Sequence, residues 1–380
     1  GRAGAAPVMT GTTPLRVLHL NTERGWRGGE RQTLWLAAGL QRLGAQSYVA
    51  ARPAEPLAER ARQAGLPVIR CAPIGEWDLS AALRLRRMIR RLRIDIVHAH
   101  TAHAAALAAL ATAATPVPFV TSRRVTFHMR RNAFTRWKYQ RARCVVAISE
   151  AVRRVVVADG IAPARVAVVH SGIDLTRHIE PASAETLRAL GVPAGAPLAV
   201  QVAQLTAEKD PLTFVRAVAV ARRCVPALHA LLVGGGPLEG AVRAEAAALG
   251  VVDAVHLAGI RTDADSLVAA ADVVSLTSRQ EGLGSVLLDA LMLGRPAVAT
   301  RAGGTEEVIE DGVSGLLAPA GDAEAVGDAL ARVLTDEALA ARLREAGPRR
   351  AAEFSTERTA EATLALYRRV LAGAEVAEQG

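Results

Sequence analysis

The sequence predicts an α/β protein built from two doubly wound parallel sheets, on three observations. Short apolar runs that read as strands alternate with amphipathic helical patterns through both halves of the chain. Several of those strands run into a glycine-bearing loop and then a helix, the unit that places a ligand at a helix N-terminus. The length of 380 residues, 51% of them apolar, suffices for two buried cores.

Composition narrows the class. No run of about twenty uncharged apolar residues occurs, so no membrane-spanning helix is expected. Residues 1–14 are small and polar, lack the basic-then-apolar plan of a signal peptide, and read as a disordered leader. Cys71, Cys144 and Cys224 are odd in number and widely spaced. They suggest reduced thiols of a cytoplasmic protein, not a disulfide frame or a zinc site. The charge is unevenly divided: residues 1–172 carry 27 Lys and Arg against 9 Asp and Glu, and residues 173–380 carry 19 against 28. A basic half of this kind favours an anionic partner, such as lipid headgroups, a phosphorylated acceptor or nucleic acid.

In chain order, Leu15–Leu20 reads as a buried first strand. It feeds the loop Asn21–Glu30, with Gly28 and Gly29, and a helix through Leu43. Read alone, the two glycines fit a tight turn needing positive φ as well as a ligand loop. Gln46–Ala51 is a second strand, Glu55–Gly65 a helix and Val68–Cys71 a third strand. Ser80–Leu92 is a helix with Leu85, Met88, Ile89 and Leu92 on one stripe. Its other faces carry Arg84, Arg86, Arg87, Arg90, Arg91 and Arg93, dense enough to suggest a surface for anionic lipid, although such a face is usually only solvated. Ile94–His100 is the next strand. His98, His100 and His103 invite a metal reading, but no acid or cysteine stands near them in the sequence to complete a site. Pro118–Val125 is a strand with its loop, ending in Arg123 and Arg124, a pair suited to phosphate. From 123 to 143 basic residues alternate with aromatics, with His128 among them. That pattern fits single-stranded nucleic acid, or a mobile loop followed by a helix docked through its aromatics. The second is preferred, because no RNA-binding module surrounds it. Cys144–Ser149 leads into a Ser-capped helix, and Val166–His170 is a further strand.

In the second half, Leu198–Ala203 is a strand followed by Gln204, Glu208 and Lys209. Ala230–Val233 runs into Gly234–Pro237, whose spacing does not make a dinucleotide fingerprint. Val255–Gly259 is a strand ending at Ile260. Asp263-Ala264-Asp265 reads as a helix N-cap with an acidic first turn. Asp272–Leu276 is a strand. The loop after it holds Ser278, Glu281, Gly282, Leu283, Gly284 and Ser285, and leads to a helix over 286–294 bearing Asp289. Free N–H groups at that helix start attract anions, and glycines there allow close backbone approach. Ala297–Thr300 and Gly315–Ala318 are short strands, Gly303–Glu307 is a loop entering a helix, and helices follow to the end.

The segment from Glu281 to Ile309 resembles the retaining glycosyltransferases of family four, which have the GT-B fold: two doubly wound parallel-sheet domains facing a central cleft. Their glutamate, seven residues, glutamate spacing is kept here, with Asp289 as the second acid. Weaker similarity extends back to Leu15. The resemblance implies that Glu281 contacts the donor sugar, that Asp289 holds the nucleotide ribose, and that Lys209 neutralises the donor diphosphate. Gln204 stands where the family commonly has arginine, a charge that Arg123 is a candidate to supply. Gly28 and Gly29, Gly235, Ile260 and the helix start Gly282–Ser285 are implied to line the donor site. His100 and Arg123 are implied on the acceptor side, where many members carry a histidine near position 123. The Ser171–Asp174 turn resembles the family's passage between domains. The expected division is then 15–172, 173–355, and a helical segment over 356–380 crossing back to the first domain, with a linker at 173–195.

What the resemblance implies is a metal-independent, retaining transfer of a sugar from a nucleotide-sugar to an acceptor hydroxyl in surface polysaccharide, lipopolysaccharide or glycolipid synthesis. The nucleotide-sugar is a co-substrate, so no cofactor is expected. The acceptor is a glycan, glycolipid or phosphorylated compound. The expected location is the cytoplasm or the inner face of the plasma membrane. Two other readings stand beside it: a sugar-nucleotide epimerase of the same fold, and a non-catalytic polyanion-binding protein.

Overall fold

The computed structural model describes residues 14–129 and 132–375. The leader expected over 1–14 lies outside the described residues apart from Pro14.

The chain alternates strand and helix as expected. Its first half contains β1 (Arg16–Leu20), α1 (Gly28–Arg42), β2 (Gln46–Ala51), α2 (Pro56–Gln63), β3 (Val68–Arg70), α3 (Leu79–Arg91) and β4 (Ile96–Ala99). Then come α4 (Ala102–Thr112), β5 (Phe119–Arg123), α5 (Ala133–Arg141), β6 (Cys144–Ala147), α6 (Glu150–Ala158) and β7 (Val166–Val168). The second half contains α7 (Ala184–Ala189), β8 (Leu198–Val202), α8 (Pro211–Ala221), β9 (His229–Val233), α9 (Glu239–Ala248) and β10 (Val255–Gly259). It continues with α10 (Ala264–Ala270), β11 (Val273–Leu276), α11 (Ser285–Met292), β12 (Ala297–Thr300), α12 (Thr305–Val308) and β13 (Leu316–Ala318). Three helices close the chain: α13 (Ala323–Thr335), α14 (Glu337–Ala352) and α15 (Thr356–Leu371).

The strands form two parallel sheets, in the orders β3-β2-β1-β4-β5-β6-β7 and β10-β9-β8-β11-β12-β13. Parallel strands are covered on both faces, which is why their sequences are continuous apolar runs with no alternation. Each sheet winds in both directions from its first strand. The strand order therefore reverses between β1 and β4 in one sheet and between β8 and β11 in the other. Loops leaving the C-terminal ends of such neighbours diverge to opposite faces and leave a crevice, the usual ligand position in open α/β sheets. The loop after β1 leads to Gly28 and Gly29 at the start of α1, and the loop after β4 carries His100. The loops after β8 and β11 carry Lys209 and Glu281.

Two compact units are distinguishable. One comprises the described residues to 121, with 138–143 and 367–374; the other comprises 122–137, 144–366 and 375. In the second, Phe214 and Val218 of α8 and Val326 and Leu330 of α13 meet over the sheet in one apolar core. Gly327 permits that approach, since a Cβ there would lie 2.5 Å from Val220 Cβ. In the first, Ala37, Val49, Leu57 and Leu66 form a core between α1, α2 and the sheet edge. Among the described residues no helix is long and apolar enough to cross a membrane. The cysteines are free thiols, Cys71 and Cys144 buried and Cys224 exposed.

Three local expectations are corrected. The stretch read as a linker over 173–195 contains α7, whose Ser183 side chain accepts from Thr186 N. Asp263 occupies the N-cap position of α10 but makes no capping bond. Its carboxylate instead takes both Nε and Nη2 of Arg261, each at 2.7 Å, a bidentate pair stronger than a neutral cap. The positive φ that the first glycine loop suggested belongs to Gly25, at +83°, and not to Gly28 or Gly29.

Candidate active site

The second sheet's reversal point carries the charged pair. β11 runs on into Thr277 and Ser278, both fully buried. Thr277 Oγ1 donates to Asp210 O at 2.9 Å, tying this loop to the one after β8. Arg279 N donates to Glu208 O at 2.8 Å, a second tie. These bonds bring Lys209 Nζ to 2.5 Å from Glu281 Oε2. Ser278 Oγ donates to the same oxygen at 3.0 Å, and Gly282 N to Oε1 at 3.2 Å. Glu281 is thus a buried carboxylate that accepts from a lysine, a hydroxyl and a backbone amide.

The backbone that follows is gripped from several sides. Ser149, the cap of α6, donates from Oγ to Gly282 O at 2.6 Å. A Cβ on Gly282 would lie 2.3 Å from Arg124 O, so only glycine fits against that carbonyl. Gly284 has φ +86° and is the N-cap of α11. Gly304 N donates to Glu281 O at 3.1 Å. Beneath it Glu307 accepts from the first amides of α6, Glu150 N at 2.9 Å and Ala151 N at 3.0 Å, and from His170 Nε2 at 2.9 Å. Burial pushes the Glu307 carboxyl up, but His170 and the two amides outweigh it and hold its pKa below the usual value.

Beside this loop lies a cavity of about 610 Å³. Glu281, Gln280, Arg279 and Gly303 line one part, and Phe127, His128 and Arg154 another. Arg279 pairs with Asp210 at 2.7 Å and His128 with Asp159 at 2.7 Å. Arg154 is exposed and has no ion-pair partner among the described residues. Arg123 donates from Nη2 to Phe127 O, which anchors the loop that forms the cavity wall.

Asp289 lies buried within α11 and pairs with Arg177 Nη1 at 2.8 Å. The other arm of the same guanidinium takes Asp265. Gly235 and Ile260 meet at the ends of β9 and β10: a Cβ on Gly235 would lie 3.1 Å from the Ile260 side chain, which is 88% exposed. Leu205 N donates to Gly235 O at 3.1 Å, so Gln204, Gly235 and Ile260 share one rim. Gln204 itself is exposed, and Leu283 is buried.

The first unit holds the remaining residues. Gly29 opens α1 with empty space where a Cβ would stand. Glu30 closes this helix start by accepting from Arg27 N at 3.0 Å. His100 is buried, not open to solvent. The parallel register places His19 beside His98, so three imidazoles meet: His19, His98 and His100, with ring nitrogens within 4.8 Å of one another. His103, the third histidine of the sequence pattern, lies elsewhere, exposed and beside Glu23 and Glu76. Such a trio has the donors for a metal. A ring nitrogen of each, however, is already engaged within the protein: His19 Nδ1 meets His100 Nε2 at 3.0 Å, and His98 Nδ1 meets Tyr367 Oη at 2.6 Å. Burial lowers the His19 pKa to about 3 and opposes any added charge.

Sequence reasoning did not single out Arg177, Ser149 or Glu307 for these contacts. Glu307 had a usable signal, an acid at the start of a helix after two glycines. Arg177 had none, because its partners lie 88 and 112 residues away.

Comparison with known proteins bears on the family and the fold. The family model described as glycosyl transferases group 1 matches residues 183–350, and that described as Glycosyltransferase Family 4 matches residues 26–177. The D-inositol 3-phosphate glycosyltransferase of Saccharomonospora viridis is 36% identical over 222 residues, 56% of this chain and 52% of that protein. The lipopolysaccharide core biosynthesis glycosyltransferase LpsE of Rhizobium meliloti is 33% identical over 178 residues, 47% of this chain and 51% of that one. The chain spans about half the length of the curated relatives it matches. Among solved structures, a glycosyltransferase from Rickettsia africae superimposes with a TM-score of 0.81 at 20% identity, covering 95% of this chain and 99% of that one. HepE of Anabaena, solved in complex with UDP, gives 0.78 at 21% identity, covering 92% and 99%. At these identities the structural likeness establishes the GT-B fold alone.

Proposed function

Because this chain belongs to the family 4 glycosyltransferases (glycosyl transferases group 1), we propose that it transfers a sugar from a nucleotide-sugar to an acceptor hydroxyl, without a metal ion and with retention at the anomeric carbon. The observation that carries this reading is the Lys209–Glu281 pair, 2.5 Å apart at a sheet reversal point and beside a large cavity.

When the donor enters, Lys209 turns from Glu281 to the diphosphate. It then stabilises the charge that develops on the leaving phosphate as the glycosidic bond breaks. The amides at the start of α11, from Leu283 to Ser285, face the same charge. Glu281, relieved of its ammonium partner, accepts hydroxyls of the donor sugar. Asp289, oriented by Arg177, holds the ribose. Gln204, Gly235 and Ile260 form the rim for the nucleotide. No side chain of this set is a poised covalent nucleophile, which suits a displacement on one face of the sugar. Arg123 belongs to the acceptor side. The similarity to LpsE supports a place in surface polysaccharide, lipopolysaccharide or glycolipid synthesis. The UDP held by HepE makes UDP-sugars the first donors to try.

The test is proton NMR of the reaction with a UDP-sugar and candidate acceptors. The reading requires nucleotide release that depends on acceptor, and a product whose anomeric coupling matches the donor's. A donor sugar that changes configuration without acceptor would instead identify an epimerase. Binding of polyanions with no preference among nucleotide-sugars would identify a non-catalytic protein.

A further inference from the structure

We propose that the segment from Ile74 to Arg91 docks this protein onto an anionic membrane surface. The loop before α3 and the outer face of that helix expose four large apolar side chains close together in the chain: Ile74 (99%), Trp77 (64%), Leu79 (63%) and Leu83 (46%). Single exposed apolar residues are ordinary, but a contiguous group of this size marks a contact surface.

The helix itself is divided cleanly. Ala81, Ala82, Leu85 and Ile89 are buried on one side. The helical period sets Leu79, Leu83, Arg84, Arg87, Arg90 and Arg91 on the other, with no acid among them. Arg87, Arg90 and Arg91 have no ion-pair partner among the described residues. Nearby acids are engaged in structure. Asp78 caps α3 and accepts from Ser80 and Ile74 N. Glu76 pairs with Lys138 at 3.1 Å. Asp95 accepts from Arg16 N at 2.8 Å. The outer face therefore presents an apolar patch continuous with unscreened arginines.

That combination fits a bilayer interface better than a protein or a nucleic acid. Tryptophan and aliphatic side chains enter the headgroup boundary while arginines remain at the phosphates, which attract them. Nucleic acid would use the arginines but leave Ile74 and Leu83 without a role. The charge complement is lipid phosphate, and the excess of basic residues in 1–172 acts in the same direction.

The test is co-sedimentation of the full chain with phosphatidylcholine vesicles, with and without phosphatidylglycerol, at low and high salt. Binding is expected only with the anionic lipid and is expected to fall as salt rises. Trp77 emission should shift to the blue on binding, a shift absent in Trp77→Phe. Replacing Arg87 and Arg91 together with Gln should weaken partitioning about twenty-five-fold, at about fivefold per arginine. Ile74→Ser with Leu83→Ser should weaken it without changing the salt slope. All four side chains are exposed, so the variants should keep the wild-type thermal midpoint. Failure to bind anionic vesicles would overturn the proposal. So would binding unaffected by these variants, or a dimer in solution that Leu83→Ser dissociates, which would make the face a contact between copies.

Discussion

Lys209 and Glu281 form a pair whose members have separate duties once donor is bound. Removing one therefore takes away one of those duties and leaves the other side chain without its partner in the free site. Glu281→Gln keeps the shape and the Ser278 contact but loses the charge that holds the donor sugar. We expect kcat to fall by about a hundredfold or more, the loss typical of a positioned transition-state contact, measured with saturating nucleotide-sugar. Arg177→Ala removes the guanidinium that pairs with the buried Asp289. It should cost about 3 kcal/mol of stability in denaturant unfolding, because breaking a buried ion pair by removing one member is costly. His19 predicts a pH dependence. Its pKa is about 3 in the folded chain and 6.5 unfolded, so between those values the unfolded state binds the extra proton. Stability should fall as pH drops from about 6.5 towards 3, and His19→Asn should flatten that part of the thermal profile. Glu281 and Lys209 were legible from spacing and flanking residues. The imidazole cluster was only half legible, since His19 joins His98 through strand register and not through any sequence interval.

At the scale of elements, the loop from Glu281 to Gly284 is held by neighbours that each contribute one contact. Gly304 is the tightest. A Cβ there would meet Gly282 O at 2.2 Å and Leu283 Cα at 2.6 Å, both backbone. Its φ is −70°, so the obstacle is space and not torsion. Gly304→Ala should cost about 1–3 kcal/mol and displace the catalytic loop, seen as a loss of both stability and kcat. Gly29→Ala is the contrast: with open space at that position, stability should barely change, and any loss of activity would report a ligand passing there. Most strands and helices were readable because a parallel sheet demands uninterrupted apolar runs. The helix α7 was missed because Pro181, Pro193 and Pro197 suggested a linker, and they outweighed the Ser183 cap. Asp263 was placed at its helix start correctly, yet its carboxylate answers to Arg261, two residues away.

Across the whole molecule, two doubly wound parallel sheets were foreseeable from the alternation of strands and helices, but their strand orders were not. That Lys209 and Glu281 share one site was legible only through the family resemblance, because they are 72 apart in sequence. The uneven charge was also visible, but not the apolar side chains that accompany it at the surface. The central claim is that the crevice between β8 and β11 binds a nucleotide-sugar through Lys209 and Glu281. The most direct test is the thermal midpoint measured with UDP-, GDP-, ADP- and dTDP-sugars, for the wild type, Lys209→Ala and Glu281→Ala. One nucleotide class should raise the wild-type midpoint, with about 2.7 kcal/mol of stabilisation at a hundred times its Kd, and both variants should lose most of that rise. A midpoint that no class moves, or a rise that both variants retain in full, would contradict the account.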